Sequence, residues 1–326
     1  MRKLTLLTAG VFILFAVGTL ILSSGGDSDF DEVSLAEQQL GISLESRRVD
    51  AGGLQLHVVF AGPQDAEPVI LIHGFPQFWY MWREHIGILA KAGYRVAAVD
   101  LRGYNRSDKP SGRAAYSYRE YARDIIGLMD AEGWNQANII SHDIGAVVTW
   151  QLIFNNAERL SRAVIFSGAH PLAFSNAEEQ SEVSWYRTFF RLPILPELVM
   201  RLGGMSLTAK NLVATSRPGT FTDAELEIYQ AAWDREHAID SMLGAYRNDG
   251  LDLRSMPDDG RPDMPVLFIN GLEDKFVPAS VAEDTRNYLG SDNVVLYPGL
   301  SHWILEEEPE LTALEMIEFL QRPISR

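Results

Sequence analysis

The chain has 326 residues, of which 46% are hydrophobic, so it is long enough for one large domain with a sizeable core. A net charge of -16 argues against a nucleic-acid partner, because little basic surface is left to neutralise phosphates. The absence of cysteine excludes disulfides, thiolate metal sites and cysteine catalysis, but leaves the compartment open.

The N-terminus has the pattern of a targeting segment. Arg2 and Lys3 precede a near-continuous apolar run from Leu4 to Leu22. The run approaches the ~20 residues that span a bilayer and is longer than most cleaved signal cores, and no good cleavage site follows it. We therefore predict a membrane anchor over residues 1–26, with a secretory signal as the alternative, and a linker over residues 27–45. An anchor would hold the catalytic domain outside the cytoplasm, and a cleaved signal would give a secreted or periplasmic protein.

After residue 45, short apolar runs alternate with amphipathic stretches. Residues 46–60 alternate apolar and polar side chains around Ala51-Gly52-Gly53, which predicts a β-hairpin. Buried strands are predicted at residues 68–72, 94–99, 139–142, 163–167, 265–269 and 293–297. Helices are predicted at residues 79–92, 118–132, 144–156 and 309–320. This alternation predicts an α/β fold with a mostly parallel, doubly wound sheet.

The alternation stops after His170-Pro171 and resumes only beyond Pro257. The sequence between them is helical in pattern and contains no apolar run typical of a buried strand. We therefore predict a core formed by residues 46–170 and 258–326, with residues 171–257 inserted as a helical lid over the strand ends.

The first candidate for chemistry is Asp143, at the turn between a predicted strand and a predicted helix. Ser141 stands two residues before it, and Gly145 and Ala146 follow closely. Small residues at this spacing are typical of a nucleophile elbow, which usually carries serine and here carries aspartate. The alternative is an ordinary helix N-cap, a position that favours aspartate.

Two more candidates follow the last two predicted strands. Asp274 lies after residue 269 and His302 after residue 297, and Glu273 is the alternative to Asp274. The carboxyl ends of parallel strands meet at one edge of a sheet, where ligands bind. The chain order of aspartate, second acid and histidine matches the nucleophile, acid and base of the α/β-hydrolases.

Four further motifs carry a more specific resemblance. His73-Gly74-Phe75-Pro76 is similar to the HGxP motif, and the sequence from Asp100 to Pro110 is similar to the D-x-R-G-Y-x-x-S-D-K-P segment, of α/β-hydrolases of the epoxide hydrolase group. The stretch from Ser184 to Pro193 resembles their first lid-tyrosine segment, with the tyrosine at Tyr186. Tyr246-Arg247-Asn248 resembles the second. The resemblance covers everything from about Ser46 onwards.

The resemblance implies hydrolysis of epoxides to vicinal diols. Asp143 would attack the epoxide carbon and form an alkyl ester, because a carboxylate needs no base to activate it. Tyr186 and Tyr246 would protonate the leaving oxygen. His302, oriented by Asp274, would then activate the water that hydrolyses the ester.

The same resemblance assigns supporting residues. The backbone N–H groups of Phe75 and Ile144 would form the oxyanion hole. Four residues are expected to line the substrate site: His73, Pro76, His142 and Trp303. The partners implied are a small epoxide and water, no metal or cofactor is required, and oligomeric state is left open.

Two other functions remain open on the sequence. A dehalogenase on this fold would also use an aspartate nucleophile, but the haloalkane enzymes hold halide with tryptophan beside it, where this chain has Ile144. The fluoroacetate enzymes place an arginine just after the nucleophile, where this chain has none. A ligand receptor that has lost catalysis would be expected to lack a triad member, and none is missing.

Overall fold

A computed structural model describes residues 31–201, 206–248 and 250–323. Within them, the strands in chain order are β1 (Glu45–Asp50), β2 (Gln55–Ala61), β3 (Pro68–Ile72), β4 (Arg95–Val99), β5 (Ala137–His142), β6 (Leu160–Phe166), β7 (Val266–Gly271) and β8 (Val294–Tyr297). They form one sheet in the order β1-β2-β4-β3-β5-β6-β7-β8.

Two kinds of pairing divide this sheet. β1 and β2 form the predicted hairpin, and β2 also pairs antiparallel with β4. From β4 through β3, β5, β6 and β7 to β8 every pair is parallel. The central parallel strands are buried along almost their whole length, as expected for apolar runs covered by helices on both faces. The prediction of a mostly parallel, doubly wound sheet is confirmed.

The described residues also form α-helices on both faces and one edge of this sheet. In chain order they are α1 (Glu32–Leu40), α2 (Arg83–Lys91), α3 (Tyr118–Ala131), α4 (Ile144–Asn155), α5 (Pro171–Asn176), α6 (Glu178–Val183), α7 (Trp185–Phe190), α8 (Leu195–Arg201), α9 (Ser206–Thr215), α10 (Asp223–Trp233), α11 (Ala238–Met242), α12 (Ala279–Asp284), α13 (Arg286–Leu289), α14 (Ile304–Glu307) and α15 (Pro309–Gln321).

The inserted segment is helical, as the sequence predicts. The described part of residues 171–257 contains α5 to α11 and a 3₁₀ turn at Ala245–Arg247, and no strand. The segment leaves the core at the carboxyl end of β6 and returns at the amino end of β7. We call it the lid.

The predicted linker over residues 27–45 is only partly a linker, because it contains α1. Val33 and Ala36 are buried on one face of this helix, and Asp31 caps it by accepting a hydrogen bond from the Ser34 N–H at 3.1 Å. Glu32 is buried as well and forms an ion pair with Arg106 at 2.7 Å. Two apolar residues three apart suffice to fix so short a helix once it has a surface to pack on.

One predicted helix is interrupted, and another begins where it was predicted. The helix predicted at residues 79–92 starts as a 3₁₀ turn, Trp79–Trp82, before α2 begins. The last helix begins at Pro309, as predicted, and a separate short helix precedes it. Glu306 and Glu307 lie in α14, and α15 begins at Pro309, because proline suits the first turn of a helix and ends the preceding one.

The apolar run from Leu4 to Leu22 lies outside the described residues, so the anchor over residues 1–26 stays a prediction. Over the ranges that are described, no helix is both long and apolar enough to cross a membrane.

Candidate active site

Asp143 occupies a strained turn between β5 and α4. Its φ of 50° and ψ of -114° are rare for a residue with a side chain. A Cβ on Gly145 would come within 2.3 Å of the Ile72 carbonyl oxygen, and one on Gly168 within 2.1 Å of the Ala146 Cβ. Small residues are therefore required around the turn, as the elbow pattern implies. Asp143 occupies the N-cap position of α4, but its side chain makes no capping hydrogen bond.

Backbone N–H groups hold the Asp143 carboxylate from one side. The N–H of Phe75 donates to Oδ1 at 2.9 Å, and the N–H of Ile144 also interacts with the carboxylate. Phe75 comes this close because Gly74 has no side chain: a Cβ there would lie 2.5 Å from the Asp143 Cβ. The Phe75–Pro76 peptide bond is cis, as in the motif that this loop resembles. The two N–H groups predicted for an oxyanion hole thus meet at one carboxylate.

The environment of Asp143 has opposing effects on the pKa of its carboxyl group. Burial raises the pKa of the carboxyl above its ordinary value, while the charge of His302 and the two N–H groups oppose the rise. The side chain retains 20% exposure, which opens onto the cavity described below. A partly desolvated carboxylate held by directed donors is poised to react more readily than a fully hydrated one.

His302 links the two aspartates. Its Nδ1 lies 2.8 Å from Asp274 Oδ2, and its Nε2 lies 3.7 Å from Asp143 Oδ2. Asp274 is itself fixed, since its Oδ1 accepts from the N–H groups of Phe276 at 2.7 Å and Val277 at 2.9 Å. Although burial alone would lower the pKa of His302, the neighbouring Asp274 carboxylate raises it above the ordinary value.

A second histidine supports the first. The Nε2 of His142 donates to the backbone carbonyl of His302 at 2.9 Å, and the Ser167 hydroxyl donates to the same oxygen at 3.2 Å. Burial keeps the pKa of His142 well below its ordinary value, so the ring is neutral. These contacts fix the loop that carries His302.

The two lid tyrosines lie together above Asp143. The rings of Tyr186 and Tyr246 meet edge to face at a centroid distance of 6.2 Å. Tyr246 also packs on Phe75 at 5.3 Å, and Tyr186 packs on Phe276 at 5.7 Å. Burial raises the pKa of both phenols, so both remain protonated at neutral pH.

These groups share one cavity of about 470 Å³ between core and lid. Asp143, Tyr186 and Tyr246 all line it, and the rest of its wall is mainly apolar. A carboxylate and two phenols therefore converge on a space large enough for a small organic molecule, and His302 lies behind the carboxylate, 3.7 Å from its Oδ2. In the described ranges no cluster of three or more His, Cys, Asp or Glu side chains is arranged to hold a metal ion.

Comparison with known proteins places this arrangement in a family. Residues 67–309 match the alpha/beta hydrolase fold. The chain belongs to the α/β-hydrolase family. It is 33% identical to the AB hydrolase superfamily protein YfhM of Bacillus subtilis (strain 168), over 84% of this chain and 96% of that one. It is 30% identical to Epoxide hydrolase 2 of Caenorhabditis elegans, over 85% of this chain and 81% of the other.

Solved structures agree with this assignment. Epoxide hydrolase A from Mycobacterium thermoresistibile superposes with a TM-score of 0.75 at 26% identity, covering 86% of this chain and 98% of that one. An epoxide hydrolase from Vigna radiata gives a TM-score of 0.74 at 23% identity, covering 85% and 98%, a likeness of fold alone.

Four residues expected to line the substrate site of this α/β-hydrolase do not reach the cavity wall. His73 is fully buried, and its Nε2 accepts from the N–H of Leu101 at 3.0 Å. Pro76 and Trp303 instead form hydrogen bonds with residues of the lid. The Pro76 carbonyl accepts from an indole N–H at 2.6 Å, and the Trp303 indole donates to the Thr215 hydroxyl at 2.9 Å. The fourth, His142, lies behind His302 as described above.

Other residues take their place in the hydrolase cavity. Tyr118 projects from α3, and burial raises its pKa to about 12. Phe276 packs on the His302 ring at 4.8 Å and shields it from bulk water. Arg187 adds a positive charge to the wall. The position of Arg187 directly after a predicted lid tyrosine is the signal that could have pointed to it.

Proposed function

We propose that this α/β-hydrolase opens epoxides to vicinal diols through an ester on Asp143. One observation carries the proposal: a carboxylate stands at the elbow, and two protonated phenols face it in the same cavity. A carboxylate attacks saturated carbon without prior deprotonation, and phenols supply the proton that a leaving alkoxide needs. Relatives named epoxide hydrolase support the assignment.

In the first step Asp143 Oδ2 attacks one epoxide carbon, because Oδ1 is held by the Phe75 N–H. The bond between that carbon and the ring oxygen breaks, and the oxygen takes a proton from Tyr186 or Tyr246. The products are an alkyl ester on Asp143 and one tyrosinate. With an ordinary phenol pKa of ~10 raised further by burial, the tyrosinate recovers its proton readily at neutral pH.

In the second step His302 removes a proton from a water molecule, which attacks the ester carbonyl carbon of Asp143. The N–H groups of Phe75 and Ile144 stabilise the tetrahedral oxyanion. Asp274, 2.8 Å from Nδ1, stabilises the imidazolium that forms. The intermediate collapses to the carboxylic acid of Asp143 and the diol oxygen, which takes the proton of the His302 imidazolium. The acid then loses its proton to solvent, which balances the proton that the tyrosinate recovers and restores the carboxylate.

No observation favours halide chemistry. Trp150 lines the cavity, but its indole N–H already donates to the Gly168 carbonyl at 3.0 Å. The residue after the nucleophile is Ile144, which has no side-chain donor. A receptor without catalysis is not favoured either, since the base, its acid and the nucleophile are all assembled.

Trapping the ester tests the proposal. His302→Gln should be alkylated by an epoxide in a single turnover, and intact mass should rise by the mass of the epoxide, with the adduct on the peptide containing Asp143. The wild type should convert a panel of aliphatic and aromatic epoxides to diols, while Asp143→Ala should give neither adduct nor diol. Full diol formation by Asp143→Ala would overturn the mechanism.

A further inference from the structure

Arg187 stands in the wall of the cavity, and no described residue supplies its side chain with a counter-charge. It follows Tyr186 on α7 and lines the same space as Asp143. Its guanidinium lies over the ring of Phe174, 5.2 Å from the centroid, and Phe174 lines the cavity too. The charged end of the side chain is therefore turned along the cavity wall.

Other arginine side chains near the lid have hydrogen-bond or ion-pair partners, whereas that of Arg187 has none among the described residues. Arg191 donates to the Tyr246 carbonyl at 3.0 Å, and Arg247 forms an ion pair with Glu197 at 2.6 Å. Among the described residues the Arg187 side chain has neither a hydrogen bond nor an ion pair, only its contact with Phe174. Keeping a partly buried guanidinium without a counter-charge is unfavourable unless a ligand supplies one.

The charge of Arg187 affects the pKa of two phenols in the cavity. Burial raises the pKa of Tyr118 and of Tyr186, and the positive charge of Arg187 opposes the rise in both. Both phenols line the cavity. An anion bound at Arg187 would therefore lie beside the site where the epoxide reacts.

A second donor is available on the same side. Ser184 lines the cavity and precedes Arg187 by three residues at the start of α7, so the two side chains share one face of the helix. The Ser184 oxygen accepts from Gln180 Nε2 at 2.9 Å, which leaves its own hydroxyl proton free to donate.

We propose that Arg187, assisted by Ser184, binds a carboxylate on the substrate, so that the substrate class is an epoxide that carries a carboxylate. The planar guanidinium matches a carboxylate by paired hydrogen bonds. The apolar remainder of the cavity suits the hydrocarbon between the two groups. The inference rests on the proposed epoxide hydrolysis and names its substrate class.

A matched pair of substrates tests it: an epoxy carboxylic acid and its methyl ester, assayed near pH 7.5 by diol formation. For the wild type we expect a higher kcat/KM on the acid. Arg187→Gln should lower kcat/KM on the acid by about 10–100-fold, mainly through KM, and leave the ester nearly unchanged. Retained turnover of the ester shows that the variant folds. Arg187→Lys should recover part of the preference, because it keeps the charge but not the paired geometry.

The control is Arg261→Gln, which makes the same change in net charge at a site that is 62% exposed and not part of the cavity wall. It should leave both substrates unaffected. Diol formation with no preference for the acid, or an equal loss on both substrates in Arg187→Gln, overturns the carboxylate site alone. If the wild type converts neither substrate and His302→Gln gains no mass from either, the proposed epoxide hydrolysis itself fails.

Discussion

The core and the lid hold their functional groups in different ways. In the core, Asp274 and His302 are 6% and 2% exposed, and each is fixed by several hydrogen bonds on a loop that follows a strand. In the lid, short helices carry the two tyrosines and Arg187. Of the eight large apolar side chains that are exposed among the described residues, seven lie between Trp185 and Val213. The lid therefore packs less completely than the core.

This difference matches two kinds of chemical demand. Attack on carbon and hydrolysis of an ester need the nucleophile and base at set angles, which a rigid sheet provides. Protonating an oxygen and binding a carboxylate need donors that face the substrate, and a helical insertion provides them at the cavity wall. The two regions are joined where the Trp233 indole donates to the Pro76 carbonyl at 2.6 Å, next to the oxyanion loop.

The largest loss of activity that distinguishes the role of the lid from that of the core should come from removing both lid phenols. In the double variant Tyr186→Phe with Tyr246→Phe, epoxide opening should fall by about 10⁴-fold, because the alkoxide would leave without an acid. Each single variant should lose less, because the other phenol remains. Esterification of Asp143 by a haloalkane, which needs no proton, should survive in single-turnover measurements. Loss of both reactions would show that the tyrosines shape the site instead of donating protons.

Within the core, a single methyl group should disrupt the site without unfolding the sheet. Gly74→Ala would place a Cβ 2.5 Å from the Asp143 Cβ and 2.8 Å from its Oδ1. The displaced carboxylate should lower the rate of ester formation by about 100-fold or more, since a shift of ~1 Å can cost that much. Pre-steady-state alkylation measures it.

The control for this change is Gly87→Ala in α2, where the nearest atom to a new Cβ would be 3.4 Å away. That variant should keep full activity and gain about 0.5–1 kcal/mol in free energy of unfolding, because alanine favours helix more than glycine does. Equal activity of the Gly74→Ala and Gly87→Ala variants would show that the Asp143 position tolerates movement.

The structure of the core was predicted from the sequence more accurately than that of the lid. Apolar runs located the central strands to within about three residues, because burial on both faces leaves no polar position to confuse the pattern. Sterically required glycines marked the elbow and the oxyanion loop. The sequence did not reveal that β2 crosses to β4, or that α1 packs on the core, since both depend on contacts between distant segments.

The site was foreseen where the chemistry limits the residue type. Asp143, Asp274 and His302 follow strand ends in a recognisable order, and the structure brings them together. The expected wall residues His142 and Trp303 turned out to support the His302 loop or the lid junction. A position next to a catalytic residue along the chain does not determine which way a side chain points, so the cavity wall was the least predictable part.

Activity should decline on the acid side of the pH profile, where His302 of the core becomes protonated, and not on the alkaline side. His302 must be neutral to activate water, and its pKa is raised, so ester hydrolysis should fall about tenfold per pH unit as pH drops below that pKa. On the alkaline side, burial raises the pKa of both lid phenols, so activity should hold to at least about pH 10. A loss of activity between pH 8 and 9 would contradict the assigned acids. Single-turnover rates of the wild type, measured from pH 5 to 10, check both sides: ester hydrolysis reports His302, and epoxide opening reports the phenols.

The smallest expected effect is a shift of the pH profile, and it comes from a residue that contacts both regions. Glu306, on α14, accepts from Gln77 of the core and, at 3.4 Å, from the Tyr229 hydroxyl of the lid. Burial raises the pKa of Glu306 to about 7, and its charge adds to the forces that raise the pKa of His302. Glu306→Gln removes that charge, which disfavours the imidazolium. The acid-side decline of ester hydrolysis should therefore move to lower pH, by about half a unit or less.

An exposed glutamate on the neighbouring helix supplies the comparison for Glu306. Glu310→Gln removes the same charge from the surface of α15 and should leave the pH profile in place, because solvent screens an exposed group. Tyr229→Phe tests the lid side of the junction. It removes the hydrogen bond to Glu306 at 3.4 Å and the one that the phenol oxygen accepts from Gln77 at 2.9 Å, but it keeps the carboxylate, so His302 should titrate nearly as in the wild type. If Tyr229→Phe instead shifts the profile as far as Glu306→Gln does, the lid sets the base through packing and not through the charge of Glu306.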